Sequence, residues 1–379
     1  MIRTILLVSL LAAALPASAG PIPNLPGGPS WPHGVGQIYM PDGLDQWQSW
    51  MGHDVDMMVV WSHPASTWAA FESGHGDIGA YFLNALKILP KTTPIVHAYP
   101  MLPEELSNKN CQNPGIWDRF AAGEFDSHYR TMAQNMKNLI QNSGRDPQTV
   151  ILRLGWEMNG DWYPWSICNK VAEFKASWER AVGIIRSVMP GMRFDFSVGR
   201  PYAGFTSGRN YGGAAGVNLA GLLPSSSTYD VISRSTHDGL PFTVDDATFT
   251  QSTYNPPASS RTIGLLELRD TAAAVGKKFA LSEWGSQMED CHASGTWPTA
   301  PDPELFVRKV YAFLAANADM VAWDSYFSVS CTQLYGRQTT GTAMAYKSLW
   351  NSSGSTGGGT GGGQTTASPP KPPELVSVQ

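Results

Sequence analysis

Two glutamates sit in surroundings suited to chemistry. In the run 150–165 an apolar stretch leads into Trp156, Glu157 and Asn159, followed by Trp162, Tyr163 and Trp165. Phe279 to Gly285 repeats the arrangement, ending in Ser282, Glu283 and Trp284. Paired carboxylates flanking one bond are what glycoside hydrolysis requires: one keeps a proton for the leaving oxygen, the other stays ionised to attack or to activate water. A neighbouring negative charge and aromatic desolvation raise the acid's pKa and so separate the two roles. The flat C–H faces of a sugar stack on aromatic rings, and Trp156, Trp162, Tyr163, Trp165, Trp284 and Trp323 are the available platforms. Trp162 and Trp165 have a second reading as loop closure over the core, and Trp323 as plain core. His97 reads as a sugar contact or as a satisfied structural histidine, and Asn159 as a loop-capping amide.

Elements able to bring residues 157 and 283 together follow from the hydrophobic pattern. Short apolar runs bounded by Gly, Pro or polar residues occur at 35–39, 57–61, 95–99, 150–154, 193–197, 229–233, 278–281 and 320–323. Helical stripes lie between them: Tyr129, Met132, Met136, Leu139 and Ile140; Val171, Phe174, Trp178, Val182 and Ile185; and Leu305, Phe306, Val310, Phe313 and Leu314. The stretch 200–228, rich in Gly, Ser and Tyr, predicts at most a short helix. Alternating strands and helices predict a single (β/α)₈ barrel of class α/β, in which both glutamates end strands, the fourth and the seventh, that face one another across the mouth.

The motifs Arg153-x-x-Trp156-Glu157-Met158-Asn159-Gly160 and Ser282-Glu283-Trp284-Gly285, with the late Trp323, resemble glycoside hydrolase family 26, whose best-known members are endo-β-1,4-mannanases. The likeness spans about residues 31–350. It implies a retaining barrel enzyme of clan A without metal or organic cofactor, with Glu157 as acid/base and Glu283 as nucleophile. It further implies that Arg153 lies under the two acids and that Trp323 is the platform at the cleavage subsite. Three positions depart from the family pattern. Trp156 stands where the family commonly has a sugar-contacting His. Ser235-Thr236-His237-Asp238 stands where a Tyr usually bonds the nucleophile, so that either His237 or Tyr254 takes that place. Asp324 stands where a basic residue can follow the strand-eight Trp. Mannan is the leading substrate, and these departures point to another β-glycan or a bacterial exopolysaccharide as the alternative.

The chain has 379 residues, 26 Lys+Arg against 31 Asp+Glu and a net charge of −5, with no basic run. That balance disfavours nucleic-acid and anionic-membrane partners. Residues 1–19 read as a secretory signal, with Arg3, an apolar stretch too short to span a bilayer, and a small-residue site before Gly20. Export makes two disulfides the expectation for the four cysteines, and neighbouring barrel loops suggest Cys111–Cys168 and Cys291–Cys331. Residues 20–350 form the expected catalytic domain. Residues 351–379, Gly/Thr-rich and then Pro-rich, read as a linker to an accessory module, a cell-surface contact or an ordinary tail. The expected protein is a monomer acting on polysaccharide. A non-catalytic carbohydrate-binding protein on the same fold, or a scaffold held by its tail, are the rivals from other classes.

Overall fold

The computed structural model describes residues 22–351, apart from 25, 27, 37–40, 63, 78–79, 207–208, 211–215, 240, 287–299, 330–331, 335 and 337. The expected signal, the residues after 351 and the Cys291–Cys331 pairing lie outside the described residues. Eight strands form the barrel: β1 (His33–Gly36), β2 (Met57–Trp61), β3 (Ile95–Tyr99), β4 (Val150–Leu154), β5 (Arg193–Val198), β6 (Val231–His237), β7 (Lys278–Gly285) and β8 (Val321–Phe327). Every neighbouring pair is parallel, and β1 closes the ring by pairing with both β2 and β8. This is the (β/α)₈ barrel that the alternation of apolar runs and helical stripes predicts.

The three helical stripes become helices Asp126–Asn142, Val171–Val188 and Pro303–Ala316. The last begins sharply because Asp302 accepts a bond from the Leu305 N–H and Pro303 has no N–H to leave unsatisfied. Each helix lays its stripe on the outside of the barrel: Met132, Met136 and Ile140, Phe174 and Trp178, and Phe306, Val310 and Leu314 are all buried. Among the described residues between β5 and β6 the one helix is the four-residue Leu219–Leu222, capped by Asn218. Among the described residues no helix is long and apolar enough to cross a membrane.

Strands β6, β7 and β8 run further than their apolar runs. A hydrophobicity criterion stops at the first polar residue, yet Ser235 and His237, Glu283, and Ser325 continue the ladders with polar side chains facing the barrel interior. Barrel interiors are usually filled by branched apolar side chains. Here the fully buried residues include Arg153, Asp195, Ser197, Ser233 and Ser282, which build a polar floor beneath the mouth.

Candidate active site

β4 delivers Glu157 through a strained turn. Gly155 has φ of 57°, and a side chain there would stand 2.8 Å from Met101 Cβ, so only glycine fits. Glu157 itself adopts φ of 54°, a conformation rarely populated by non-glycine residues and found where surrounding bonds over-determine it. Those bonds are present. The Glu157 N–H donates to Ser197 O at 3.0 Å, while the Asn159 side-chain amide donates to Gly199 O at 3.0 Å and accepts from Gly199 N–H at 2.6 Å. Asn159 is thus the loop-capping amide that ties the β4 loop to the end of β5. The Cys111–Cys168 disulfide forms as expected and joins the β3 and β4 loops.

β7 delivers Glu283 by a different device. Ser233 of β6 pairs with Ala280 and Ser235 with Glu283, so β7 uses one residue more than its neighbour across the same step. The same extra residue appears against β8, where Asp324 pairs with Leu281 and Tyr326 with Trp284. This bulge breaks the alternation of faces. Ser282 and Glu283, though consecutive, both point into the barrel: Ser282 Oγ donates to Asp195 Oδ2 at 2.6 Å, and Glu283 meets Arg153 and His237. Trp284 then faces outward, its Nε1 donating to Asp324 Oδ2 at 2.8 Å.

Arg153, fully buried, is the hub. Its Nη1 donates to Glu283 Oε2 at 2.9 Å, Nη2 to Ser235 Oγ at 2.9 Å and Nε to Ser197 Oγ at 2.8 Å, with Asp195 Oδ2 at 3.9 Å beneath. His237 Nε2 donates to Glu283 Oε1 at 3.2 Å, so both carboxylate oxygens have a donor. Of the two side chains left open for that position, the geometry selects His237. Tyr254 lies in the outer layer against Phe249 and Phe313.

The two carboxyls are pushed apart in acidity. Burial works to raise Glu283, but the hydrogen bonds and charge from His237 and Arg153 outweigh it and hold this carboxyl well below the usual carboxylate range. Burial raises Glu157 above its ordinary value, and the Glu283 charge raises it further, against weaker opposing effects from Ser235, Arg153 and His237. One group is therefore poised to stay ionised and the other to keep a proton.

Several expected contacts are corrected. His97 is fully buried, stacked on Phe82 at 3.9 Å, its Nε2 donating to Ser62 Oγ at 2.6 Å, and burial pushes its imidazole down to about 3. It is a neutral structural histidine out of reach of any sugar. Trp323, 1% exposed, lies in mid-strand with its Nε1 on Ser282 Oγ at 3.0 Å, so it is barrel core and not a platform. Trp284 is core between the sheet and helix Gly341–Trp350. Trp165 is buried, stacked on Tyr163 at 4.8 Å and bonded to Trp156 O. Trp156 is 3% exposed and packs against both rings, supporting the loop from below. Trp162 does stand in the open, 42% exposed, with its Nε1 donating to Glu157 Oε2 at 2.8 Å.

Two aromatic residues at the mouth escaped the sequence reading. Phe327 ends β8, half-buried, 5.5 Å from the His237 ring and 5.3 Å from Trp61. Trp61 ends β2, with the Arg153 guanidinium 5.6 Å from its ring. It has room there because β1 carries Gly36, where a Cβ would stand 2.7 Å from the indole. Phe327 was legible in principle, since Trp323, Ser325 and Phe327 line one face of a strand.

No family model and no curated protein matches the sequence. Solved structures do match the fold. The catalytic domain of an endo-β-1,4-mannanase of family 26 from Bacillus sp. JAMB-750 superposes with a TM-score of 0.58 at 14% identity, over 86% of each chain. The family 26 protein GH26C from Muricauda sp. gives 0.56 at 13% identity, over 85% of this chain and 86% of that one. An endo-β-1,4-mannanase from Cellulomonas fimi gives 0.56 at 15% identity, over 86% and 71%. The chain therefore has the (β/α)₈ fold of family 26 mannanases.

Proposed function

We propose that the protein is a secreted retaining endo-β-glycosidase acting on β-1,4-mannan or a related hemicellulose. The observation that carries this reading is the placing of two glutamates at the mouth ends of β4 and β7, Glu283 gripped by Arg153 and His237 and Glu157 bonded by the exposed Trp162, an arrangement that sets their acidities apart. Glu283, ionised, attacks the anomeric carbon as the bond to the glycosidic oxygen breaks, and the Glu157 proton passes to that oxygen. Glu157, now ionised, takes a proton from water, whose oxygen displaces Glu283 from the anomeric carbon and regenerates both groups. Half-buried Phe327 and exposed Trp162 are the surfaces against which sugar rings would stack. The fold shared with family 26 mannanases supports the reaction class, and residues 1–19 support export.

A second substrate, another β-glycan or a bacterial exopolysaccharide, is favoured by Trp156: a buried indole offers a sugar none of the polar contacts of a histidine. The test is reducing-end release from mannan, glucomannan, mixed-linkage glucan, xylan and exopolysaccharides by wild type and Glu283→Ala. Reducing-end release lost in the variant, with chain scission restored by azide as a glycosyl azide of inverted anomeric configuration, is the expected result. Release undiminished in the variant would reject Glu283 as nucleophile.

A further inference from the structure

Next to the carboxyl pair lies a cation that, among the described residues, no carboxylate touches directly. The backbone of Gly199 receives Asn159, and a Cβ there would stand 3.3 Å from the Trp162 ring and 3.4 Å from Glu157 Cβ. The following residue, Arg200, is half-buried. Its Nη1 reaches to 3.2 Å from where a Cβ on Gly239 would stand, two residues beyond His237. Its guanidinium thus bridges the rim between the loop that carries Glu157's supports and the loop that follows β6.

Among the described residues no carboxylate comes within 4 Å of this group. The nearby acids hold their hydrogen bonds elsewhere, Asp238 accepting from Thr243 N–H at 3.0 Å and Ser286 Oγ at 3.5 Å, and Glu267 from Leu219 N–H at 2.9 Å and the Tyr202 hydroxyl at 3.2 Å, and they act on the arginines only from a distance, Asp238 on Arg200 and Glu267 on Arg234. A second arginine close by also lacks a direct carboxylate contact. Arg234 is fully buried, with one 3.5 Å bond from Nη1 to Thr253 O and an Nε that has no partner. Burial pushes both guanidinium groups down, opposed at Arg200 by the Asp238 charge, while at Arg234 the Arg200 charge adds to burial and Glu267 and Glu157 oppose it, leaving Arg234 at about 9. Buried cations in proteins are ordinarily paired, because desolvation without a counter-charge is costly. An anion at Arg200 would supply the direct partner that its guanidinium lacks, since the fork matches a carboxylate in two parallel hydrogen bonds. The chain's net charge of −5 repels acidic polymers in general, so holding one in the cleft requires a local cation of this kind.

We infer that Arg200 anchors an anionic subsite beside Glu157, on the leaving-group side, and that the glycan cleaved there carries carboxylate groups such as those of uronic acid units. Trp162 supplies the stacking surface for the unit whose carboxylate Arg200 receives. The inference rests on the glycosidase reading and narrows its substrate class.

The test uses Glu283→Ala protein, to prevent turnover, and two forms of the same polymers: glucuronoxylan and a glucuronic-acid-bearing exopolysaccharide, each native and after chemical reduction of its carboxyl groups to hydroxymethyl. Binding measured calorimetrically is expected to favour a native form by about tenfold or more, as charge-assisted bonds do. Adding Arg200→Gln collapses that preference below twofold, while Arg200→Lys, a charge without the fork, leaves an intermediate one. Equal affinity for native and reduced forms, no binding to either, or a preference undiminished in Arg200→Gln overturns the subsite. Wild-type cleavage of a neutral glycan without carboxyl preference overturns the subsite and leaves the glycosidase reading standing. Carboxyl-dependent binding with no cleavage by wild type does the reverse.

Discussion

His237 offers a direct way to test how the pair divides its labour. It donates to Glu283 Oε1 at 3.2 Å, while Arg153 keeps the other oxygen at 2.9 Å. Replacing His237 by Ala removes one of two donors without opening the barrel floor, since its side chain is about one third exposed. A hydrogen bond to a charged group contributes about 1.5–3 kcal/mol when buried. Solvent screening at this exposed position reduces that to about 1.4 kcal/mol, equivalent to about one pKa unit. The sign follows from what the bond stabilises. Losing it disfavours ionised Glu283, so its pKa rises and the acid limb of the kcat/KM profile moves up by about one unit. Glu283 is held at about 2, so near neutrality it remains ionised in the variant, and the loss of rate there should be smaller than at about pH 2–3. The assay is kcat/KM against pH from about 2 to 9, on an aryl β-glycoside or whichever polymer is cleaved. An acid limb that stays in place, or moves down, would refute the argument that His237 holds Glu283 ionised.

Glu157→Gln should raise thermal stability while abolishing turnover of unactivated substrates. Glu157 is raised by burial and by the Glu283 charge, so ionisation favours the unfolded chain once pH passes its ordinary value, and the penalty is complete above the raised value. The Tm gain should therefore be present at pH 8 and absent at pH 4, and a gain independent of pH would contradict it. Asp324→Ala should cost at least about 3 kcal/mol in denaturant unfolding. Its buried carboxylate accepts from Trp31 Nε1 at 2.7 Å, His33 Nδ1 at 3.0 Å, Trp284 Nε1 at 2.8 Å and Trp350 Nε1 at 3.3 Å, all left without an acceptor. Phe327→Ala should lower kcat/KM about tenfold, with Tm shifted little, whereas Trp323→Phe should lower Tm through the lost Ser282 bond and a packing gap; the opposite pattern would restore Trp323 as the platform.

The sequence by itself determined a parallel α/β fold with strand and helix alternating about eight times, which suits a barrel, while closure of the ring is seen only in the pairing of β1 with both β2 and β8. It also singled out Glu157 and Glu283, which the structure brings to one site around Arg153, since an acid among aromatics at the end of an apolar run is a local signal. The Cys111–Cys168 bond was legible for the same reason, following from which loops adjoin in a barrel. Which aromatic residues face the cleft was decided only by tertiary structure. Exposure depends on strand ends, and polar inward-facing residues in β6, β7 and β8 hid those ends from any hydrophobic criterion. Trp323 and Trp284 look like platforms in the sequence and are core, while Phe327 sits four residues past the point where the apolar run stops. The bulge that turns Ser282 and Glu283 to the same side exists only in the pairing of β7 with both neighbours, a property of three strands and not of one. The grip on Glu283 likewise joins β4, β6 and β7, and that no carboxylate among the described residues touches Arg200 could be recognised only from the positions of Asp238 and Glu267 in the fold.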